Sequence, residues 1–181
     1  MKLPNTIFIT GASGYIGGSV ASKLVKIGVR VRGLVRSQAN AELLAAQGIE
    51  PVIGDLNDVA LLIREANNAD GVINAASADH AESIQALIKG LEGSSSPLIH
   101  TSGSSIVGDD VRGAVKSDSV FDEFTPLVIQ ELKQPRRDID LMVLGASASN
   151  VRSIVICPSL IYGQGRGLNP RSVQIPFLAE N

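Results

Sequence analysis

The chain has 181 residues, enough for one domain with a sizeable core and too few for a comfortable two-domain enzyme. With 44% hydrophobic and 19% charged residues it can bury enough apolar surface to offset its ordering entropy, which excludes global disorder. Sixteen Lys plus Arg against eighteen Asp plus Glu give a net charge of -2, so there is no bulk electrostatic footprint for nucleic acid or anionic lipid, and any bound anion must be gripped locally.

Runs rich in Val and Ile alternate with helix-period stretches, the pattern of βαβ units and a mostly parallel α/β sheet. TIFIT (6–10) is the first strand, and Ile16, Val20, Leu24 and Ile27 mark one face of the helix after it, which Gly28 ends. VRVRGLV (29–35), EPVIG (50–54) and DGVINA (70–75) read as the next three strands. Ile84, Leu87, Ile88 and Leu91 then give the clearest helix, with Gly93 placed as its C-terminal cap. PLIHTS (97–102) is a fifth strand, and residues 103–119, rich in Gly, Ser and Asp, read as a loop over the strand ends. Pro126 and Pro135 bracket a helical stretch, a second helix is expected from Arg136 to about Ser147, and SIVICP (153–158) is the sixth strand. The remaining stretch is dense in Gly and Pro, and no packed element is expected before Ser172. Residues 1–158 thus read as one α/β domain and 159–181 as a separate tail.

One cysteine, Cys157, excludes an intrachain disulfide, and His80 and His100 offer no ligand pair at helical spacing, so a metal-free site in a reducing compartment is expected. The start, MKLPNTIFIT, meets a glycine turn before a signal-like apolar run is complete, and the expectation is a soluble, cytoplasmic protein without membrane contact.

The strongest local signal is the strand TIFIT followed by GASGYIGG, which places Gly11, Gly14 and Gly17 between a strand and an amphipathic helix. Gly11 permits the tight exit, Gly14 lets backbone approach a pyrophosphate, and Gly17 permits close packing of helix on sheet. The helix N-terminus then receives the anion without a lysine, and the absence of a GK[ST] ending argues against ATP chemistry.

The second strand bears on which dinucleotide is taken. An NAD site usually has Asp or Glu about 20 residues beyond the loop, whereas VRVRGLVRSQAN holds no carboxylate before Glu42. Arg36, with Ser37 and Arg32 in support, is suited to a 2′-phosphate, which points to NADP over NAD; solvated surface arginines are the plainer alternative. Asp55, just after the third strand, is placed to accept from an adenine amino group while Leu56 packs against the ring, with Asp58 the better helix cap. Asn74, Ala75, Ala76 and Ser77 are small enough to leave a crevice at the end of the fourth strand.

In combination these residues resemble the short-chain dehydrogenase/reductase superfamily, in particular its epimerase/dehydratase-like and NmrA-like members. GASGYIGG looks like its phosphate loop (Gly11, Ser13, Gly14, Tyr15, Ile16, Gly17), GDL (54–56) its adenine-site motif, NAA (74–76) its fourth-strand motif and TSGSSIVGD (101–109) its fifth strand and following loop. CPSLIYG (157–163) looks like the stretch after the sixth strand, where the backbone of Pro158, Ser159 and Leu160 would hold the nicotinamide carboxamide. The resemblance implies a Rossmann-type doubly wound sheet of about six strands in order 3-2-1-4-5-6 with helices on both faces. It also implies that the tail from 159 begins a substrate-binding region that the chain does not complete.

The superfamily's Tyr-x-x-x-Lys pair is missing. Spacing from Pro158 puts Leu132 at the tyrosine position and Arg136 at the lysine position, where Arg136 would hold the nicotinamide ribose but titrates too high for acid–base work. Ser102 and Ser104 flank Gly103 at the assisting-serine position and are weak catalytic candidates, lacking a neighbouring base. His80 reads as a cap or surface residue, His100 as structural and Cys157 as a buried thiol. Arg136, Arg137, Asp138 and Asp140 read either as a solvated helix face or as a group near the cofactor. The expected function is an NADP(H)-binding protein with oxidoreductase-type activity on an unidentified small molecule, or else a non-catalytic NADP(H) sensor of the NmrA-like kind. A protein partner or a homodimer is left open.

Overall fold

The structure is a computed structural model describing residues 4–109, 114–116, 118–122, 124–173, 177 and 179. Six strands, β1 (Thr6–Thr10), β2 (Arg30–Val35), β3 (Glu50–Ile53), β4 (Gly71–Asn74), β5 (Pro97–Thr101) and β6 (Arg152–Ile156), form one sheet in the order β3-β2-β1-β4-β5-β6. Every pairing is parallel. This is the expected doubly wound arrangement, and its order reverses between β1 and β4.

Strand side chains alternate between two apolar layers, so successive residues are buried on opposite faces. Phe8, Leu34, Val52, Val72 and Leu98 join one core with residues of α3 (Val59–Asn67), α4 (Ala81–Leu91) and α5 (Gln134–Gly145). Ile7, Ile9, Val31 and Val35 join the other with α1 (Tyr15–Lys26) and α2 (Gln38–Ala45). The outer strand β6 is covered on one face only: Val155 packs against the first core, while Ile154 and Ile156 are each 48% exposed.

Local chemistry sets the helix starts. Ser37 Oγ accepts from Asn40 N–H to cap α2, Asp58 accepts from Leu61 N–H to cap α3, and His80 Nδ1 accepts from Ser83 N–H to cap α4; side-chain caps contribute about 1 kcal/mol each. Pro135 stands in the first turn of α5, where its missing N–H costs nothing. Gly93 takes φ +76° just beyond α4.

Three expectations are corrected. Residues 126–130 are not helical, and only a short 3-10 turn, Glu131–Lys133, precedes α5; Pro135 with the Pro-led segment before it leaves no run long enough for another helix. The 103–119 loop contains a 3-10 turn at Ser104–Val107, and its residues 110–113 and 117 lie outside the described set. The tail, although irregular, is packed: Leu168 seats against the second core, and Gln164 and Arg171 form an antiparallel bridge.

Candidate functional site

In open α/β sheets the crevice lies where strand order reverses, at the carboxyl ends of the strands. Here that point is fixed by a buried polar cluster. Asn74, at the end of β4, accepts from Thr10 Oγ1 at the end of β1 and donates from Nδ2 to Ser77 O and to His100 Nδ1, both at 2.9 Å. All its hydrogen-bonding groups are thereby used, and the ends of β1, β4 and β5 are held in one register. With Nδ1 accepting, His100 carries its proton on Nε2, which faces Asp140 Oδ1 at 3.8 Å, too far for a hydrogen bond. Burial pushes the His100 imidazole below its ordinary range, with the Asp140 carboxylate opposing that shift. His100 is structural, as expected. Asp140, by contrast, is fully buried against it and does not lie on a solvated helix face. Sequence spacing could not reveal this, because its neighbour is on β5.

The phosphate loop opens directly above this cluster. Gly11 takes φ +76°, and a Cβ there would lie 2.5 Å from the Ala75 carbonyl oxygen, so only glycine fits. A Cβ on Gly17 would overlap the Gly11 carbonyl oxygen, which explains how closely α1 packs on the loop. Gly14 is the N-cap of α1, which has neither a side-chain cap nor an acidic residue in its first turn. Its positive end is left open to an anion.

Two adjoining cavities share Ala75 and Ala76. The first, about 460 Å³, brings together Gly11, Ser13, Gly14, Arg36, Asp55 and Leu56. Arg36 is exposed at the end of β2, and no carboxylate lines this cavity except Asp55. Asp55 does not cap a helix; its Oδ1 accepts from Asn57 N–H at 2.7 Å and steadies the turn. Ser37 is occupied as a cap, and Arg32 is turned away into ion pairs with Glu65 at 2.7 Å and Glu50 at 3.1 Å. Arg32 therefore gives no support to Arg36. Asn40, Asn57 and His80 also line the cavity, unsuspected in the first two cases. Asn40 was detectable in principle, since it lies one turn beyond Arg36 on the capped end of α2. His80 Nε2 reaches Asn57 Oδ1 at 3.2 Å, so the cap on α4 also ties the wall together.

The second cavity, about 530 Å³, takes in Tyr15, Ile16, Ser102, Arg136, Pro158 and Ser159. Arg136 Nε and Nη2 form a bidentate pair with Asp79 at 2.7 and 2.6 Å, and Nη1 donates to Ser105 Oγ at 2.8 Å. The guanidinium holds the Asp79 carboxyl below the usual carboxylate range. Sequence reading missed Asp79, which is 57 residues from its partner. Leu132 stands 84% exposed on its 3-10 turn. Three candidates fall outside both cavities. Leu160 is 43% exposed, Ser104 serves the backbone by donating its N–H to Pro158 O at 3.2 Å, and Gly17 acts only through packing. Cys157 is exposed, not buried, because the strand end it follows lies at the sheet edge. Nearby protein still pushes its thiol upward, so it is no activated nucleophile. Among the described residues no His, Cys, Asp or Glu cluster is arranged for a metal, and no helix is long and apolar enough to cross a membrane.

A doubly wound sheet with a glycine turn, an uncapped helix and a divided crevice at its switch point defines a Rossmann-type domain, the architecture whose switch point takes dinucleotides. The NmrA-like family matches residues 4–91. Oxidase ucsJ of Acremonium sp is 38% identical over 184 residues, an alignment spanning 90% of this chain and 52% of that protein. A UDP-glucose 4-epimerase structure superposes with a TM-score of 0.73 at 21% identity, covering 97% of this chain and 60% of the other. MoeE5 in complex with UDP-glucose and NAD superposes with a TM-score of 0.68 at 18% identity, covering 89% and 56%. The chain is thus similar to the NmrA-like family over residues 4–91 and shares its fold with the epimerase structure. It spans about half the length of the curated relatives it matches.

Proposed function

We propose that the chain is the NADP(H)-binding part of an oxidoreductase acting on a small molecule. The observation that carries this reading is Arg36, a guanidinium without an ion-pair partner among the described residues, at the end of β2 beside the first cavity, in the place where an NAD site keeps a carboxylate. The donor set fits the rest of the cofactor: Gly11, Ser13 and Gly14 with the open end of α1 for the pyrophosphate, Asp55 and Leu56 for the adenine, and Ala75 and Ala76 where a larger side chain would obstruct. Arg136, Pro158 and Ser159 border the space for the nicotinamide end. When bound, that ring supplies hydride chemistry; the chain's own residues bind and orient it. Residues from 159 onward are the start of a substrate-binding region, and the cell's reducing cytoplasm is the compartment proposed.

Calorimetric titration with NADPH and NADH, repeated on Arg36→Ala, tests the reading. A charge-assisted contact implies that Arg36→Ala weakens NADPH by about 10- to 100-fold and leaves NADH unchanged. Equal affinity of the unaltered protein for both cofactors would overturn the NADP assignment.

A second reading, a non-catalytic NADP(H) sensor, is favoured by one arrangement. The proton-shuttle positions hold an exposed Leu132 and an Arg136 already bound to Asp79 and Ser105. Ser102 lines the second cavity, yet among the described residues no base is hydrogen-bonded to its Oγ to make it a proton source. NADPH-dependent turnover on a panel of ketones, aldehydes and sugar nucleotides would decide for the enzyme; tight binding without turnover would decide for the sensor.

A further inference from the structure

We propose that the glycine-rich hairpin 161–172 is a second support of the phosphate loop, with Asn169 a positioning residue for the dinucleotide's pyrophosphate; this rests on the dinucleotide reading above. The hairpin is closed on itself. Ser172 Oγ donates to Ile161 O at 2.7 Å, Gln164 pairs with Arg171, and Gly165 N–H donates to Pro170 O at 2.7 Å.

Its tip is seated on the start of α1 by contacts that span about 150 residues of sequence. Asn169 Nδ2 donates to Ser13 O at 2.6 Å, and Arg166 N–H donates to Ser19 Oγ at 3.0 Å. Ser19 in turn donates to Tyr15 O at 2.7 Å, and Tyr15 OH donates to Gly163 O at 3.0 Å. The two backbones meet directly, since a Cβ on Gly167 would lie 2.6 Å from Gly18 Cα.

The Asn169 contact acts where it matters for an anion. The Ser13–Gly14 peptide is planar, so its carbonyl and its N–H move together. Gly14 N–H donates to Gly11 O at 2.9 Å, and Asn169 holds the carbonyl at the opposite end. That peptide is therefore pinned on both sides, and it sets the direction of the first-turn N–H groups that follow from Tyr15. Helix α1 has no side-chain cap to do this locally. The wall of the second cavity, through Pro158, Ser159 and Ile161, runs straight into the hairpin, so one segment borders the nicotinamide side and steadies the phosphate side.

The test compares two ligands on the full chain: NADPH, and adenosine 2′-monophosphate, which lacks the pyrophosphate. Asn169→Ala is expected to weaken NADPH by about two- to tenfold while adenosine 2′-monophosphate and the urea midpoint hold. Gly167→Ala, whose Cβ would overlap the Gly18 backbone, is expected to weaken NADPH more strongly and to lower the urea midpoint as well. In the free protein, amide exchange at Gly14 should quicken in Asn169→Ala. Unchanged NADPH affinity, equal weakening of both ligands, or unchanged exchange at Gly14 would each overturn the role assigned to Asn169. Failure of the unaltered protein to bind either ligand would instead bring down the dinucleotide reading, and the positioning role with it.

Discussion

The two cavities are built in opposite ways. The first draws most of its walls from the turns that directly follow β1, β2 and β3, each shaped by a glycine or held beside a side-chain cap within a few residues, with Ala75, Ala76 and His80 closing it from the β4 side. The second is assembled from Tyr15 and Ile16, the turn after β4, the ends of β5 and β6, the start of α5 and the tail. Its key polar contact joins Asp79 to Arg136 across 57 residues. Local construction gives a site whose shape is set by turn chemistry. Remote construction gives one whose shape depends on how separate elements pack, which is where members of one fold can diverge in chemistry.

Substitutions can break this contrast in graded steps. The largest effect is expected from Gly17→Ala, whose Cβ overlaps the Gly11 carbonyl and drives α1 off the loop. A loss of about 3 kcal/mol is expected from such overpacking, read as a lower urea midpoint, with both cofactors failing to bind. A midpoint within error of the unaltered protein would show that the loop adapts and is less rigidly built than described.

The buried cluster beneath both cavities should show itself through pH. His100 is held below the ordinary histidine value of 6.5, chiefly by burial, with Asp140 and Asp79 raising it and Arg136 lowering it. As pH falls below that value the unfolded chain takes up a proton that the folded chain refuses, so stability declines until the depressed folded value is passed. The expected loss is about 1 kcal/mol per pH unit within that window, measured by urea unfolding at pH 7.5 and 5.5. His100→Gln should flatten the dependence, and an unaltered slope would assign it to another group.

The smallest effect is expected from Asp79→Asn. Asp79 is largely exposed, so screening limits the change in stability to about 1 kcal/mol or less. Its carboxyl is held below the ordinary 3.8, so the pair with Arg136 is intact above that value and is lost as pH falls through the depressed one. At neutral pH the substitution frees Arg136, and NADPH affinity should shift by a few-fold with no change for adenosine 2′-monophosphate. A shift for both ligands would mean that the two cavities are not separately built.

The same contrast explains what the sequence could disclose. All six strands, the positions of Gly11, Gly14 and Gly17 and the caps at Asp58 and His80 were legible, because periodicity and turn chemistry act within a few residues. Asp140 was not, since burial against His100 depends on how α5 lies across β5. Nor was the fate of Arg32: alternation in β2 places it opposite Leu34's neighbours, but Glu50 and Glu65 reach it only once β3 and α3 are in place. The packed tail was missed for a similar reason. Its Gly and Pro density argued against a packed element, whereas at Gly167 glycine is required by close backbone approach.

The ion pairs of Arg32 have one more consequence, in ionic strength. Glu65 keeps only 6% of its side-chain exposure and Arg32 28%, so added salt screens this link between β2 and α3 poorly. Arg36, just beyond the end of the same strand, is exposed at the mouth of the first cavity, where salt screens strongly. Raising the salt concentration should therefore loosen a phosphate held at Arg36 well before it weakens the sheet that carries it, making elution by salt a gentle way to strip nucleotide from the intact fold.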